Sequence, residues 1–143
     1  MLKQAQTEIR IATRDPGFLD VTDNVTRWLR EIGARDGLAT VFIRHTSASL
    51  TVQENADRAV QSDLLVALDG LAPRDAPYVH CSEGADDMPA HIKAMLSSTS
   101  LQIPVNAGRM VLGTWQAVYL IEHRDGAWQR QLVLHYIGDL SAA

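Results

Sequence analysis

Trp115-Gln116-Ala117-Val118-Tyr119-Leu120-Ile121-Glu122-His123-Arg124-Asp125-Gly126 is the stretch on which the fold reading turns. Side chains of a strand point alternately to its two faces. Trp115, Ala117, Tyr119, Ile121 and His123 therefore share one face, and Gln116, Val118, Leu120, Glu122 and Arg124 the other. Asp-Gly after such a run is a strong hairpin signal, so the strand predicted over 115–124 is expected to pair with one over 127–137. Just before it, strands over 100–105 and 109–113 are expected to meet across Asn106-Ala107-Gly108.

The first two thirds mix strands with helices. Strands are predicted over 4–13, 38–45 and 49–53, with a short extended piece at 78–81. A helix over 21–33 places Val21, Val25, Trp28, Leu29 and Ile32 on one face and ends at Gly33. A second, over 56–70, carries Val60, Leu64, Leu65 and Leu68, with Asn55 as its candidate cap. A third covers 89–98. Trp28, Leu29, Leu64, Leu65, Leu68, Ile92, Met95, Leu96, Leu132 and Leu134 lie at core-like spacings, and Trp115 and Tyr119 read as core aromatics in preference to an intersubunit surface. Helices and antiparallel strands without a regular βαβ alternation indicate an α+β domain.

At 143 residues the chain fits a single domain (1–143) with a normal core. A hydrophobic content of 46% with 21% charged residues describes a globular chain, not a disordered one. The net charge of −4 argues against nucleic acid as the main partner. A small phosphorylated ligand stays compatible, since one lysine or a bound metal holds a phosphate locally. The single cysteine, Cys81, forbids an internal disulfide. No apolar leader run opens the sequence, and no stretch approaches the ~18 apolar residues of a membrane span. A cytoplasmic location without membrane contact is the expectation.

Residues 82–93, Ser82-Glu83-Gly84-Ala85-Asp86-Asp87-Met88-Pro89-Ala90-His91-Ile92-Lys93, crowd three carboxylates, a histidine and a lysine into a loop that enters a helix. Pro89 suits a first turn, and Asp86 or Asp87 is a candidate N-cap. A cap needs one carboxylate, so the surplus polar chemistry points to a site. His45-Thr46-Ser47-Ala48-Ser49 closes the buried strand, where a histidine with hydroxyls binds phosphate or a metal, or simply forms a satisfied turn. His45, His80 and His91 come from three elements at spacings of 35 and 11 residues, which match no zinc-finger pattern. As ligands they would suit zinc or another transition metal, whereas Glu54, Glu83, Asp86 and Asp87 would suit magnesium. Gln116 and Glu122 are either pocket residues or polar ends of a strand, Cys81 reads as a small buried apolar residue in preference to a soft ligand or nucleophile, and His123 and His135 read as ordinary strand residues.

The segments His-Thr-Ser-Ala-Ser-Leu-Thr-Val-Gln-Glu-Asn-Ala-Asp (45–57), 82–93, Leu-Gly-Thr-Trp-Gln (112–116) and Tyr-Leu-Ile-Glu-His-Arg (119–124) resemble the hallmark motifs of the YjbQ family. The resemblance runs from about residue 5 to 139. One departure is Ala117, where the family commonly has glycine. The resemblance implies a compact α+β fold with a β-sandwich-like core and about three helices, assembled as a homotrimer. It also implies a site drawn from His45, Glu54, Asn55, Glu83, His91, Lys93, Gln116, Glu122 and Arg124, with His80 matching a frequent family histidine. The implied activity is that of a secondary thiamine-phosphate synthase. Such an enzyme joins a hydroxymethylpyrimidine diphosphate to a thiazole phosphate and releases pyrophosphate. A divalent metal on the histidines, with Lys93 or Arg124, would neutralise the leaving group, and Glu83 or Glu122 would orient the pyrimidine amine. Two other readings stand beside it: a metal-dependent hydrolase of a small phosphorylated or acyl substrate, and a non-catalytic trimer that binds a small anion.

Overall fold

The computed structural model describes residues 1–142. In chain order the elements are β1 (Lys3–Arg14), β2 (Gly17–Asp20), α1 (Thr22–Glu31), β3 (Ala34–Ile43), β4 (Ala48–Glu54), α2 (Arg58–Leu71), α3 (Asp87–Leu96), β5 (Ser100–Asn106), β6 (Arg109–Met110), β7 (Gln116–Glu122) and β8 (Ala127–Leu140). The strands form two antiparallel sheets, a five-stranded one in the order β1-β8-β3-β5-β6 and a three-stranded one in the order β2-β7-β4. The α+β class and three helices expected from the sequence are what the chain forms.

The core lies between the sheets because their strands alternate. Val41, Ile43, Leu132 and Leu134 of the large sheet face Leu50, Val118 and Leu120 of the small one, and α1 closes the layer with Val25, Trp28 and Leu29. That helical face is the one the 3.6-residue spacing selects.

The hairpin expected between 115–124 and 127–137 does not form: β7 pairs with β2 and β4, while β8 pairs with β1 and β3. Asp125-Gly126 does turn the chain, but its backbone bonds to Asp15 at the end of β1, with Asp15 N donating to Gly126 O at 2.9 Å. A two-residue turn cannot distinguish a return within one sheet from a corner between two. The other expected hairpin is present, with β5 returning to β6 through Ala107 (φ 50°) and Gly108 (φ 81°), though β6 is shorter than predicted.

β7 is buried on both faces from Ala117 to Glu122. Val118 and Leu120 face the sandwich, and the opposite face meets the helical side, where Tyr119 Oη accepts from Gln61 of α2. Tyr119 is thus core, but Trp115 is exposed, and so are Met95 and Leu96 at the end of α3. Asp57, not Asn55, caps α2, its carboxylate accepting from Ala59 N at 2.9 Å. The stretch 78–81 is irregular rather than extended. Among the described residues no helix is long and apolar enough to cross a membrane.

Candidate functional site

The densest polar constellation forms where the 82–87 loop enters α3. Asp87 is the first residue of that helix and His91 lies four residues on, so both project from one face. His80, from the preceding loop, closes the group. Asp87 Oδ2 lies 2.6 Å from His80 Nε2 and 3.4 Å from His91 Nε2, and the two rings meet edge to face at 5.4 Å. One ligand atom from each of the three residues falls within 4.8 Å of the others. Two imidazole nitrogens and a carboxylate oxygen at this separation are a donor set suited to a divalent transition metal.

Asp87 itself is buried, while both histidines reach solvent. Burial pushes its carboxyl up, but the His80 hydrogen bond and the Arg124 charge outweigh that and hold it below the usual carboxylate value. Arg124 fixes the whole loop. Its Nη1 donates to Asp87 Oδ1 at 2.8 Å, Nε to Asp86 Oδ2 at 2.8 Å and Nη2 to Glu83 O at 2.9 Å, with the guanidinium over the Trp128 ring at 4.9 Å. Arg124 therefore orients Asp87 from behind and leaves Oδ2 facing the histidines, the arrangement of an outer partner to a metal ligand. Asp86, the N-cap residue, turns its carboxylate to Arg124 and Asp125 N rather than to its own helix. Glu83 stands beside the cluster, 3.9 Å from His80 Nε2. A hollow of about 200 Å³ adjoins it, lined among others by Arg74, Tyr78, His80 and Cys81.

Of the residues the sequence nominated, the structure brings together His80, Glu83, His91 and Arg124 with Asp87, which the sequence offered as a magnesium carboxylate and not as a partner of the histidines. His45 is elsewhere: its Nε2 accepts a hydrogen bond from Gln131 N at 2.8 Å, beside β8. Burial first, then the Arg130 charge, holds its pKa below the ordinary value, which keeps that nitrogen an acceptor. Within one chain His45 therefore does not join His80 and His91, and the residue beside those two histidines is Asp87. Lys93 is buried and turned to Asp69 of α2, its Nζ 2.5 Å from Oδ1.

Glu122 does not line a pocket. Its side chain is 0% exposed and both oxygens are engaged. Arg130 grips it with Nε and Nη2 at 2.7 and 2.5 Å, Thr13 donates to Oε1, and the amides of His123 and Arg124 donate to Oε2 at 3.0 Å. Burial raises its pKa, but these donors more than reverse the shift. Glu54, Asn55 and Gln116 form a third location. Glu54 pairs with Gln116 at one end of the β4–β7 ladder, and Ala48 with Glu122 at the other. Six residues of strand separate the ends by about 20 Å. There Gln116 Oε1 accepts from Gly113 N, and Asn55 N donates to Trp115 O.

Sequence reading also missed a buried polar chain under α3. His123 Nε2 lies 2.8 Å from Ser49 Oγ, which meets Ser97 Oγ at 2.6 Å. Burial, then the nearby Lys93 charge, pushes the His123 pKa down to about 4. Alternation put His123 on the helical side of β7, but no spacing rule joins residues 49, 97 and 123.

Comparison with known proteins gives this geometry a family. The model described as UPF0047 protein YjbQ-like matches residues 7–139. The chain belongs to that family. It is 44% identical over 139 residues to a UPF0047 protein of Synechocystis, covering 96% of this chain and 95% of the relative. It is 39% identical to the UPF0047 protein YjbQ of Salmonella typhimurium, covering 94% and 98%. A crystal structure of a yjbq/upf0047 family protein from Clostridium acetobutylicum superposes with a TM-score of 0.80 at 38% identity, covering 91% of this chain and 97% of that one. A YjbQ-like protein from Sulfolobus solfataricus shares the fold at a TM-score of 0.89 and 22% identity, covering 97% and 100%.

Proposed function

We propose that this chain is a metal-assisted enzyme acting on a small phosphorylated substrate, with His80, Asp87 and His91 as the metal ligands. The observation that carries this reading is the convergence of their three ligand atoms within 4.8 Å, on a carboxylate pinned from behind by Arg124. A bound divalent ion would supply Lewis-acid stabilisation of negative charge on the substrate's phosphate oxygens. His80 and His91 each offer a neutral nitrogen once deprotonated. Arg124 keeps Asp87 ionised and aimed, and Glu83 stands within reach as an acceptor for a substrate amine. The reaction we assign is the one implied by the resemblance: thiamine-phosphate synthesis from a pyrimidine diphosphate and a thiazole phosphate, with release of pyrophosphate.

Hydrolysis of a small phosphorylated or acyl substrate is the second reading. It is favoured by the donor set itself, since two imidazoles and one carboxylate with open positions also suit water activation. The substrates separate the two. Synthase activity consumes two organic phosphates and yields pyrophosphate; a hydrolase consumes one substrate and water.

We also propose that the chain assembles as a homotrimer. Support comes from the outer face of the five-stranded sheet, where Leu38 lies directly opposite Ile137 and Phe42 opposite Val133, with Leu38, Phe42 and Ile137 exposed. Apolar side chains grouped on a sheet face favour a protein partner.

The decisive experiment is zinc and manganese titration of metal-stripped protein by calorimetry, followed by the two product assays. One ion per chain, with binding lost in Asp87→Asn and His91→Ala, is expected. Full turnover in both variants would overturn the site.

A further inference from the structure

We infer that the chain has a second ligand site, a basic cavity for a small phosphorylated anion, at the opposite end of β7 from the histidine cluster. The cavity is about 600 Å³, within the range of small-molecule sites, and its wall includes Arg30, Arg35 and Arg109. These come from three separate segments: the last turn of α1, the start of β3 and the start of β6. Arg44, Arg74, Arg124 and Arg130 each hold a carboxylate, but among the described residues Arg30, Arg35 and Arg109 make no ion pair. In a chain of net charge −4, three arginines without an ion pair on the wall of one hollow give it a local field of the opposite sign.

The hollow is built by close backbone contacts rather than left between loose loops. Gly108 N donates to Arg35 O at 2.9 Å, and Ser141 N donates to Gly33 O at 2.7 Å. A Cβ on Gly108 would come within 2.8 Å of Ala34 O, and one on Gly33 within 2.4 Å of the Ser141 hydroxyl. Both glycines also have positive φ, 81° and 71°, so Gly108 is required by conformation and by the Ala34 carbonyl, and Gly33 by its conformation, since the Ser141 hydroxyl can rotate away. Asp36, the acid nearest in sequence to Arg35, is bonded to the turn that leads into Arg109, its Oδ1 accepting from Ala107 N at 2.8 Å. Met110 and Leu112 give the cavity an apolar wall. Planar guanidinium forks suit phosphate oxygens, and the apolar wall suits an organic body. The ligand class is therefore a phosphate or diphosphate monoester of a small organic molecule.

The site is distinct from the metal cluster. Thr22, on the cavity wall, accepts from Val118 N near the start of β7, whereas Arg124 follows that strand's far end, about 20 Å away by strand rise. The inference does not rest on the metal reading.

The test is calorimetric titration of metal-stripped protein with inorganic pyrophosphate at low salt. Three proteins are compared: the wild type, Arg30→Gln/Arg109→Gln, and Asp87→Asn/His91→Ala. Saturable binding at one per chain is expected in the wild type and in the cluster variant. The arginine variant should bind at least about tenfold more weakly, with an unchanged melting temperature as the check on folding. Absence of saturable binding by the wild type, wild-type affinity in the arginine variant, or loss of binding in the cluster variant would each overturn the site.

Discussion

Replacing Arg130 by methionine tests whether the Glu122–Arg130 pair is structural. Methionine keeps much of the side chain's length and apolar stem while removing two charge-assisted bonds to Glu122 and one to Ser47 O. Glu122 would then retain only the Thr13 hydroxyl and two amides in a site with no solvent exposure. Breaking one side of a buried pair costs about 3–5 kcal/mol, because the surviving charge has neither partner nor water. Against a typical total of about 5–15 kcal/mol, a large drop in urea midpoint follows. The double variant Glu122→Gln/Arg130→Met removes the stranded charge and should recover part of the loss. pH supplies a second signature. The folded Glu122 pKa lies below its usual value, so its stabilisation is present above the unfolded pKa and disappears as pH falls through the folded one. The gap between wild type and Arg130→Met should therefore narrow as pH falls below the ordinary glutamate value. The assay is urea unfolding at neutral and acidic pH. A loss under about 1 kcal/mol, with a gap constant in pH, would refute the structural role.

Three further outcomes follow from the same geometry. His123 titrates at about 4 when folded against 6.5 as its ordinary value, so its contribution is complete above the unfolded pKa and is lost as pH falls towards 4; that is about 3 kcal/mol in order of magnitude, and urea midpoints should show a shallower acid loss in His123→Gln than in wild type. Arg124→Ala removes the bonds that hold the 83–87 loop and should cost about 1.5–3 kcal/mol, with faster hydrogen exchange at the amides of Gly84 to Asp87; unchanged exchange there would count against the bracing role. Gly37→Ala puts a Cβ 2.3 Å from Ile137 O and 2.8 Å from Gly138 Cα, so the β3–β8 ladder must shift and the melting temperature should fall by an amount matching about 1–3 kcal/mol.

What the sequence made legible was local. The apolar face of α1, the strand periods and the β5–β6 turn were readable because they depend on neighbours within a few residues. The β7–β8 pairing was not, because the choice between sheets is made by residues about a hundred positions away: Asp15 binds the turn that was read as a hairpin loop. Site legibility followed the same line. Asp87 and His91 are a helical i, i+4 pair, visible once the helix is known to start at Asp87 rather than at Pro89. Glu122 looked like pocket chemistry because alternation places it on a face but does not say that Thr13 and Arg130 occupy that face.

The family motifs divide accordingly into separate physical tasks. His80, Asp87 and His91 gather one donor set, and Arg124 holds it in place from the corner between the sheets. Glu122 and Arg130 fix that corner, since the carboxylate that Arg130 grips also accepts the Arg124 amide. Loss of the buried pair should therefore reach the donor set through the backbone of one residue, without Glu122 touching a ligand. Glu54, Asn55 and Gln116 stand about 20 Å away along β7 and cannot meet a small substrate held at the histidines of the same chain. If those residues share a substrate with the cluster, they do so from a second copy. Mixing Asp87→Asn/His91→Ala chains with Glu54→Gln chains would then restore turnover that neither variant has alone, whereas an independent site would leave the Glu54→Gln chains active by themselves.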